Sequence, residues 1–561
     1  MKEKKKILSV LAAVWVTFLI TSCDLITQDF LEEDSRTEVS DVHLSTEAGL
    51  EEAVNACYSH SRYFIGGAHE ANMTMLVAGT DTWIHGFGAD YLSLMNYDNN
   101  LNGSYGILFT IWSEYYRAIN TCNTVITRAP EIDMDENLKN TRVAEARYMR
   151  ALYYFMLVKQ WGPVHISLEE TVGVVTEATR SSVADVYDVI IGDLEFAAET
   201  LPIVSSNYGR ATKPATEDLL AKVYLTRANH PDAQQPDDYE NAANLAEDVI
   251  NNYHFRLLDT FTDVFDFDNQ EHEEVVWAIQ QSSNSQTDSR GNQGMTRFNP
   301  RYERFVGLEW SMEYNVSGSA FRPSNFTLYE LWDDEIDSRE EFTVNRVWYT
   351  NEPETGITFN GYEVTLAVGD TALYLPKEPW SEAQIAEAGF SVINPDEYPA
   401  YMYPALTAKW AGERSSITNR LVWRDVFAAR LAETHLIAAE AHLMMGNLNE
   451  AATHVNTVRR RAARQGATEA ETEVNRLAME ITPAQLDIDF ILDERARELI
   501  GELKRWEDLT RTGKLVERVR LYNPDGTSNI EPHHVLRPIP QNQIDRTSSP
   551  FPQNPGYPGA N

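Results

Sequence analysis

Two segments of the sequence combine aromatic rings with polar side chains, a combination that suits the binding of a sugar. Flat indole and phenol rings stack on the apolar C–H faces of sugars, while amides and carboxylates hydrogen-bond to the hydroxyls. A single stacked tryptophan contributes about 1–3 kcal/mol through the area it buries. The predicted ligand-binding residues are Trp83, His85 and Asn96 in the first segment, and Tyr302, Trp310 and Tyr314 in the second. Trp83 and Trp310 could instead fill the core, and the sequence does not decide between the two roles.

Motifs of catalysis are absent from the sequence. It contains no His-Glu-x-x-His, no Gly-x-Ser-x-Gly and no phosphate-binding glycine loop. His85-Gly86-Phe87-Gly88 is only half of a glycine-rich motif, and its glycines are expected to loosen the segment. Paired carboxylates of the glycosidase kind carry no information, because 85 acidic residues make chance pairs common. We therefore predict a protein that is not an enzyme and uses no cofactor.

The histidines and cysteines form no metal-binding motif. Four potential ligands lie on one predicted helix, namely Glu433, His435, Glu440 and His442. On a helix, however, His435 and Glu440 do not share a face, and no second pair converges on them. None of the three cysteines has the Cys-x-x-Cys spacing of structural zinc, and whether Cys57 and Cys122 pair stays open. We predict no metal site.

The charge of the chain excludes nucleic acid as a partner. The 561 residues include 47 Lys and Arg against 85 Asp and Glu, which gives a formal net charge of −38. A phosphate backbone is bound by Lys and Arg that release counterions, so a broad anionic surface repels it. The same charge disfavours strongly anionic glycans, unless a local basic patch near Trp310 makes the electrostatic potential there positive. The residues of that patch are Arg297, Arg301 and Arg304.

The N-terminal residues have the pattern of an export signal with a lipid-attachment site. A basic start is followed by an apolar run from Ile7 to Ile20 that is too short for a membrane-spanning helix. The run ends in Ile20-Thr-Ser-Cys23, which resembles the lipobox of bacterial lipoproteins. We predict a signal peptide over 1–22, acylation of Cys23 and an acidic tether over 23–44. An ordinary secretory signal with a chance cysteine is the alternative.

The elements that position the candidate residues are mainly helical. Residues 45–561 form one predicted domain, divided into helix pairs at 45–255 and 425–515 and a loop-rich insertion with short strands at about 256–424. The helices Val426–Met445 and Leu448–Arg464 form one such pair around Gly446, with small residues at the contact. Pairs of this kind resemble tetratricopeptide units. The predicted fold class is therefore mainly α, with candidate binding residues on loops of a helical frame.

Several blocks of the sequence occur in the order of one known family. The blocks are Asp29–Glu32, Trp112–Asn120, Ala144–Val164, Arg430–Arg459, Leu492–Lys514 and Pro538–Tyr557. Together they resemble the SusD/RagB family of Bacteroidetes outer-membrane lipoproteins over nearly the whole chain. Several blocks in one order are far more specific than any single motif. The chain departs from the family pattern at Ser35 and His165, where prolines are usual.

The resemblance implies a lipoprotein that captures nutrients on the exterior of the outer membrane. Its ligand would be an oligosaccharide, and its partner a SusC-like TonB-dependent barrel transporter over which it sits as a hinged lid. The resemblance also implies a tetratricopeptide-like scaffold and a ligand site in the irregular half, to which the region of Trp83 contributes. Three alternatives stay open: peptide capture for a RagA-like transporter, a ligand-free adaptor of a surface complex, and a surface glycoside hydrolase without a recognisable motif.

Most of the family blocks are expected to serve the fold. One predicted helix carries charged residues three and four positions apart, namely Glu494, Arg495, Arg497, Glu498 and Glu502. This spacing predicts ion pairs on the helix surface or between helices rather than catalysis. Three tryptophans outside the candidate segments, Trp112, Trp161 and Trp277, are expected in the core.

Overall fold

The computed structural model of the chain describes residues 41–67, 69–284, 291–332, 335–359, 362–405 and 408–559. The predicted signal peptide, Cys23 and most of the predicted tether lie outside these residues. The N-terminal helices are α1 (Asp41–Leu44), α2 (Glu47–Phe64), α3 (Glu70–Val77), α4 (Leu92–Asn96), α5 (Gly106–Arg128), α6 (Glu136–Trp161), α7 (Val183–Thr200), α8 (Lys213–Ala228) and α9 (Asp238–Asn252). Across the described ranges, no helix combines the length and hydropathy that a membrane span requires.

Successive helices of this region pack side by side, and local signals fix their ends. Helix α5 packs on α6, α6 on α7, α7 on α8 and α8 on α9. Ser182 caps α7, because its Oγ accepts the Asp185 backbone N–H at 3.1 Å while the Asp185 carboxylate accepts the Ser182 N–H. Helix α6 ends at Gly162, whose φ of 69° favours glycine. Both ends are set by the type of a single residue.

The two cysteines of the described residues are adjacent but not bonded. Cys57 on α2 and Cys122 on α5 are buried, and both are free thiols. Burial raises the pKa of the Cys122 thiol well above its usual value, and the neighbouring Cys57 raises it further. A buried, protonated thiol is a poor nucleophile. The pairing that the sequence left open is therefore not formed in this structure.

The insertion supplies short elements rather than a continuous sheet. Its helices are α10 (Gly294–Phe298), α11 (Ser338–Thr343) and α12 (Glu382–Glu387). The strands are β1 (Trp83–His85), which precedes the insertion, then β2 (Val275–Ile279), β3 (Phe321–Pro323), β4 (Val347–Tyr349), β5 (Glu354–Phe359), β6 (Tyr362–Leu366), β7 (Thr371–Tyr374), β8 (Ser391–Val392) and β9 (Val426–Arg430). In the described part of the chain β1 pairs with β3, β2 with β9 and β5 with β6, all antiparallel, while β7 lies between antiparallel β4 and parallel β8.

The C-terminal part of the chain returns to helices. They are α13 (Leu431–Met445), α14 (Leu448–Ala462), α15 (Glu469–Met479), α16 (Ile488–Leu499), α17 (Arg505–Arg511), α18 (Leu515–Tyr522) and α19 (Gln541–Arg546). Helices α13 and α14 form the predicted pair, joined at Gly446 with a φ of 81°. The prediction that the first helix begins at Val426 is wrong, because residues 426–430 pair with β2 and the helix begins at Leu431. The chain is a helical scaffold with short strands, as predicted.

Buried ion pairs join the insertion to the C-terminal helices. On α16, Glu498 accepts hydrogen bonds from three arginines of other elements, namely Arg339, Arg430 and Arg461. The carboxylate of Glu498 is fully buried. Burial alone would raise its pKa, but the three guanidinium groups lower it to about 2. The predicted ion pairing therefore lies between elements in the interior of the protein.

We predict that Glu498→Gln lowers the free energy of unfolding by about 3–5 kcal/mol at pH 7, because three buried guanidinium groups lose a counter-charge. The folded-state pKa of about 2 lies below the ordinary value of 4.5. The carboxylate therefore stabilises the fold above pH 4.5, and this contribution is lost as the pH falls through 2. Urea unfolding at several pH values should show the difference between wild type and variant shrinking over that range.

The control for this prediction is Glu480→Gln, which removes a partly exposed partner of Arg460. An exposed ion pair is worth about 0–1 kcal/mol, so this variant should unfold nearly as the wild type does. A difference between Glu498→Gln and wild type that does not change with pH would contradict the assignment of the stabilising charge to Glu498.

Candidate functional site

Pairing of β1 with β3 attaches the first predicted binding segment to the insertion, beyond the end of the second segment. Trp83 lies opposite Pro323 and His85 opposite Phe321. Beyond β1, the Gly86 N–H donates to the Ala320 carbonyl at 2.9 Å. A Cβ on Gly86 would lie 2.1 Å from the Ser319 carbonyl oxygen, a distance that no side chain tolerates. The glycines of this segment were expected to loosen it, and that expectation is wrong: Gly86 permits a close approach of two backbones.

Two of the predicted ligand-binding residues belong to the core instead. Trp83 is 1% exposed, and its indole packs 4.8 Å from the ring centroid of Phe298. Tyr302 is fully buried, and its hydroxyl donates to the Asn315 carbonyl. Neither ring offers a face to a ligand, so the prediction is wrong for both. Trp83 is covered because β1 lies in the interior, where Ile84 on the opposite side of the strand is buried as well.

His85 and Asn96 do lie together, beside a carboxylate that the sequence did not indicate. The His85 Nδ1 is 2.9 Å from Oδ2 of Asp525, which also accepts the His85 backbone N–H at 2.9 Å. The Asp525 carboxylate beside the imidazole raises the pKa of His85 above its ordinary value, burial opposes the shift, and a hydrogen bond with Asn96 adds to it. The imidazole is 41% exposed. It can therefore donate a hydrogen bond to a ligand at the surface.

Trp310 and Tyr314 are half-buried on one loop of the insertion. The Trp310 indole N–H donates to the Ser317 hydroxyl at 3.2 Å. The Tyr314 hydroxyl accepts the backbone N–H of Tyr349 on β4 at 2.8 Å. These bonds hold the two rings in place while part of each remains at the surface.

An exposed aromatic ring with two guanidinium groups beside it lies at the surface of this region. Phe87 is 53% exposed, and the guanidinium carbons of Arg301 and Arg304 each lie 5.1 Å from its ring centroid. The Tyr401 ring is at 6.1 Å, edge to face. We call Phe87, Arg301, Arg304 and Tyr401 the Phe87 platform. It combines a stacking face with N–H donors, the chemistry that a hydroxyl-rich ligand requires.

The backbone of three segments holds the Phe87 platform together. The Phe87 N–H donates to the Ala400 carbonyl at 3.1 Å, and the Arg301 N–H donates to the Tyr401 carbonyl at 2.8 Å. The sequence indicated Arg301 and Arg304 as part of a basic patch. It did not indicate Phe87, which lies within the incomplete glycine motif, or Tyr401, which lies in a loop without a recognisable motif. Arg297, the third residue of the predicted basic patch, is paired with Glu70 and lies outside the platform.

Comparison with known families matches both halves of the chain. A family model described as "SusD family" matches residues 273–557. A second model, described as "Starch-binding associating with outer membrane", matches residues 29–225. SusD-like protein P2 of Formosa agariphila is 26% identical to the chain, over 97% of the chain and 99% of that relative.

Solved structures share the fold of the chain. A laminarin-binding SusD-like protein superposes with a TM-score of 0.69 at 23% identity, covering 91% of this chain and 100% of the other. Surface glycan-binding protein A from Bacteroides thetaiotaomicron, in complex with laminarihexaose, gives a TM-score of 0.67 at 21% identity, covering 91% and 99%. The chain therefore shares its overall fold with these structures.

We predict that Asp525→Asn lowers the pKa of His85 towards its ordinary value of 6.5, because it removes the carboxylate that favours the protonated imidazole. NMR titration of protein with labelled histidine measures this pKa, and His85→Gln identifies the resonance. Asp90→Asn, at an exposed carboxylate of the same loop, is the control and should leave the titration unchanged. An unaltered His85 pKa in Asp525→Asn would show that the carboxylate does not set it.

Proposed function

Because the chain belongs to the SusD family, we propose that it captures an oligosaccharide on the Phe87 platform without catalysing a reaction. The observation that carries the proposal is the exposed Phe87 ring with two guanidinium groups beside it. A ring held by its own backbone loses little freedom when a sugar stacks on it. Guanidinium N–H groups beside the ring can donate to the sugar hydroxyls.

The predicted residues that stay at the surface extend this site. His85 lies two residues before Phe87, and Trp310 and Tyr314 follow Arg304 on the neighbouring loop. We assign His85 and Asn96 as hydrogen-bond partners of the ligand, and Trp310 and Tyr314 as further stacking surface. Several such groups suit a chain of several sugar units better than a single one.

The names of the structural relatives indicate which glycan to test first. One is described as laminarin-binding and another was solved with laminarihexaose. We therefore propose a neutral glucose-based oligosaccharide as the first ligand class. The net charge of −38 is consistent with an uncharged ligand.

We predict that Phe87→Ala weakens binding of laminarihexaose by about 1–3 kcal/mol, because the stacking face is lost. Isothermal titration calorimetry of the mature protein measures the affinity. Phe87→Leu keeps apolar area without a flat ring and should show an intermediate loss. Leu521→Ala, at an exposed apolar residue of α18, is the control and should bind as the wild type does.

The outcome also separates the competing functions. Equal affinity of wild type and Phe87→Ala would remove the Phe87 platform as the site while leaving glycan capture in place. A mixed peptide pool that copurifies with the protein, together with no response on a glycan array, would favour peptide capture for a RagA-like transporter. A barrel recovered in a pull-down while every ligand screen stays empty would favour the ligand-free adaptor.

We further propose that the protein is anchored through lipid on Cys23 and delivers its ligand to a SusC-like TonB-dependent transporter. The lipobox-like sequence and the family membership support this placement on the exterior of the outer membrane. We predict that Cys23→Ser abolishes incorporation of radiolabelled palmitate and moves the protein from the membrane fraction to the soluble fraction. Cys57→Ser, at an internal cysteine, is the control and should keep the label. Labelling that persists in Cys23→Ser would contradict the anchor.

A further inference from the structure

Three side chains of the helical scaffold converge at a place that the Phe87 platform does not use. Glu247 on α9, His442 on α13 and His454 on α14 each offer one ligand atom, and these atoms lie within 4.8 Å of one another. Imidazole nitrogen and carboxylate oxygen are ligands that Zn²⁺ prefers in proteins. We propose that Glu247, His442 and His454 bind a divalent transition-metal ion such as Zn²⁺, which joins the three helices.

The distances between the ligand atoms suit a tetrahedral ion. Oε1 of Glu247 lies 2.7 Å from Nε2 of His442 and 3.7 Å from Nε2 of His454. Zinc bonds of about 2.0–2.1 Å place neighbouring ligand atoms about 3.3 Å apart. The two observed distances lie on either side of this value, so small side-chain rotations admit the ion. A water molecule completes the four ligands.

His435 orients His454 for metal binding. It lies two turns before His442 on α13, and its Nδ1 is 3.1 Å from Nδ1 of His454. A hydrogen bond between these nitrogens requires that one carries the proton and the other accepts it. When His454 donates, its Nε2 keeps a lone pair on the side of Glu247. Metal-binding histidines characteristically donate their second N–H to such an acceptor.

The surroundings of the three ligands also suit a cation. The Glu247 side chain is 37% exposed, which gives an ion a route from solvent. On the far side, the Asn447 amide lies 3.4 Å from Nδ1 of His442 and can fix that ring.

Sequence analysis considered four potential ligands on one helix, namely Glu433, His435, Glu440 and His442, and predicted no metal site. Only His442 belongs to the set proposed here. Glu433 instead pairs with Lys222 at 2.8 Å, and Glu440 with Arg511 at 2.8 Å, so both carboxylates are occupied in the interior. His442 finds its partners on α9 and α14. Ligands that come from three helices have no fixed spacing, and no sequence motif records them.

Metal titration of the mature protein tests the proposal. After dialysis against EDTA, calorimetry with ZnCl₂ should show saturable uptake of one equivalent, and Zn²⁺ should raise the thermal midpoint of unfolding. Co²⁺ in place of Zn²⁺ should give the visible absorption of a tetrahedral site. Glu247→Gln and His454→Gln should each weaken Zn²⁺ binding by about tenfold or more.

The matched controls are Glu240→Gln, an exposed carboxylate on the same helix as Glu247, and His230→Gln in the loop after α8. Both should bind Zn²⁺ as the wild type does, which excludes general binding to an acidic surface. Glu247 is partly exposed, so Glu247→Gln keeps the test valid even if His454→Gln misfolds. Uptake of no metal, or equal uptake by wild type and Glu247→Gln, would show that Glu247 and His442 form only an ordinary hydrogen bond and would overturn the proposal.

Discussion

The fold depends on a set of ion pairs buried between distant segments of the chain. Glu274, Glu494 and Glu498 are fully buried together with Arg339 and Arg430. Losing one partner of such a pair costs about 3–5 kcal/mol, because the remaining charge stays in a poorly polarisable interior. The partners come from β9, α11 and α16 and from the residue before β2, so the pairs form only when the insertion has docked on the C-terminal helices. Segments distant in the sequence are thereby held in one arrangement.

A second set of buried ion pairs extends this constraint to the candidate site. Asp81, just before β1, accepts hydrogen bonds from Arg505 at 2.8 Å and from Arg518 at 2.6 Å. Burial alone would raise the pKa of Asp81, but the two arginines lower it, so the carboxylate stays ionised. Helices α17 and α18 therefore hold the start of β1, and Asp525 beyond α18 binds His85 at its end. The loop that presents the Phe87 platform is thus positioned by the C-terminal helices.

Local chemistry could be read from the sequence, and long-range pairing could not. The cap at Ser182 and the turn at Gly446 act within one helical turn, so residue type alone predicts them. The strand that pairs with β1 is β3, which lies far along the chain. Trp83 within β1 is buried and Phe87 beyond its end is exposed, although both are aromatic residues of one segment. For the same reason the sequence did not indicate Asp525 as a site residue, because its partner His85 lies in a distant part of the chain.

The charge of the whole chain and the charge of the Phe87 platform act on a ligand at different distances. Exposed charges are screened beyond about 8 Å at physiological ionic strength, so the net charge of −38 acts mainly on polyanions that approach the acidic surface. Among the described residues, Arg301 and Arg304 contact rings but form no ion pair, whereas Arg297 is paired with Glu70. A ligand on the platform therefore meets two uncompensated guanidinium groups. A neutral glycan is not repelled on approach and gains their hydrogen bonds on contact, whereas a polyanionic glycan is repelled by the acidic surface but attracted by the two guanidinium groups once it reaches the platform.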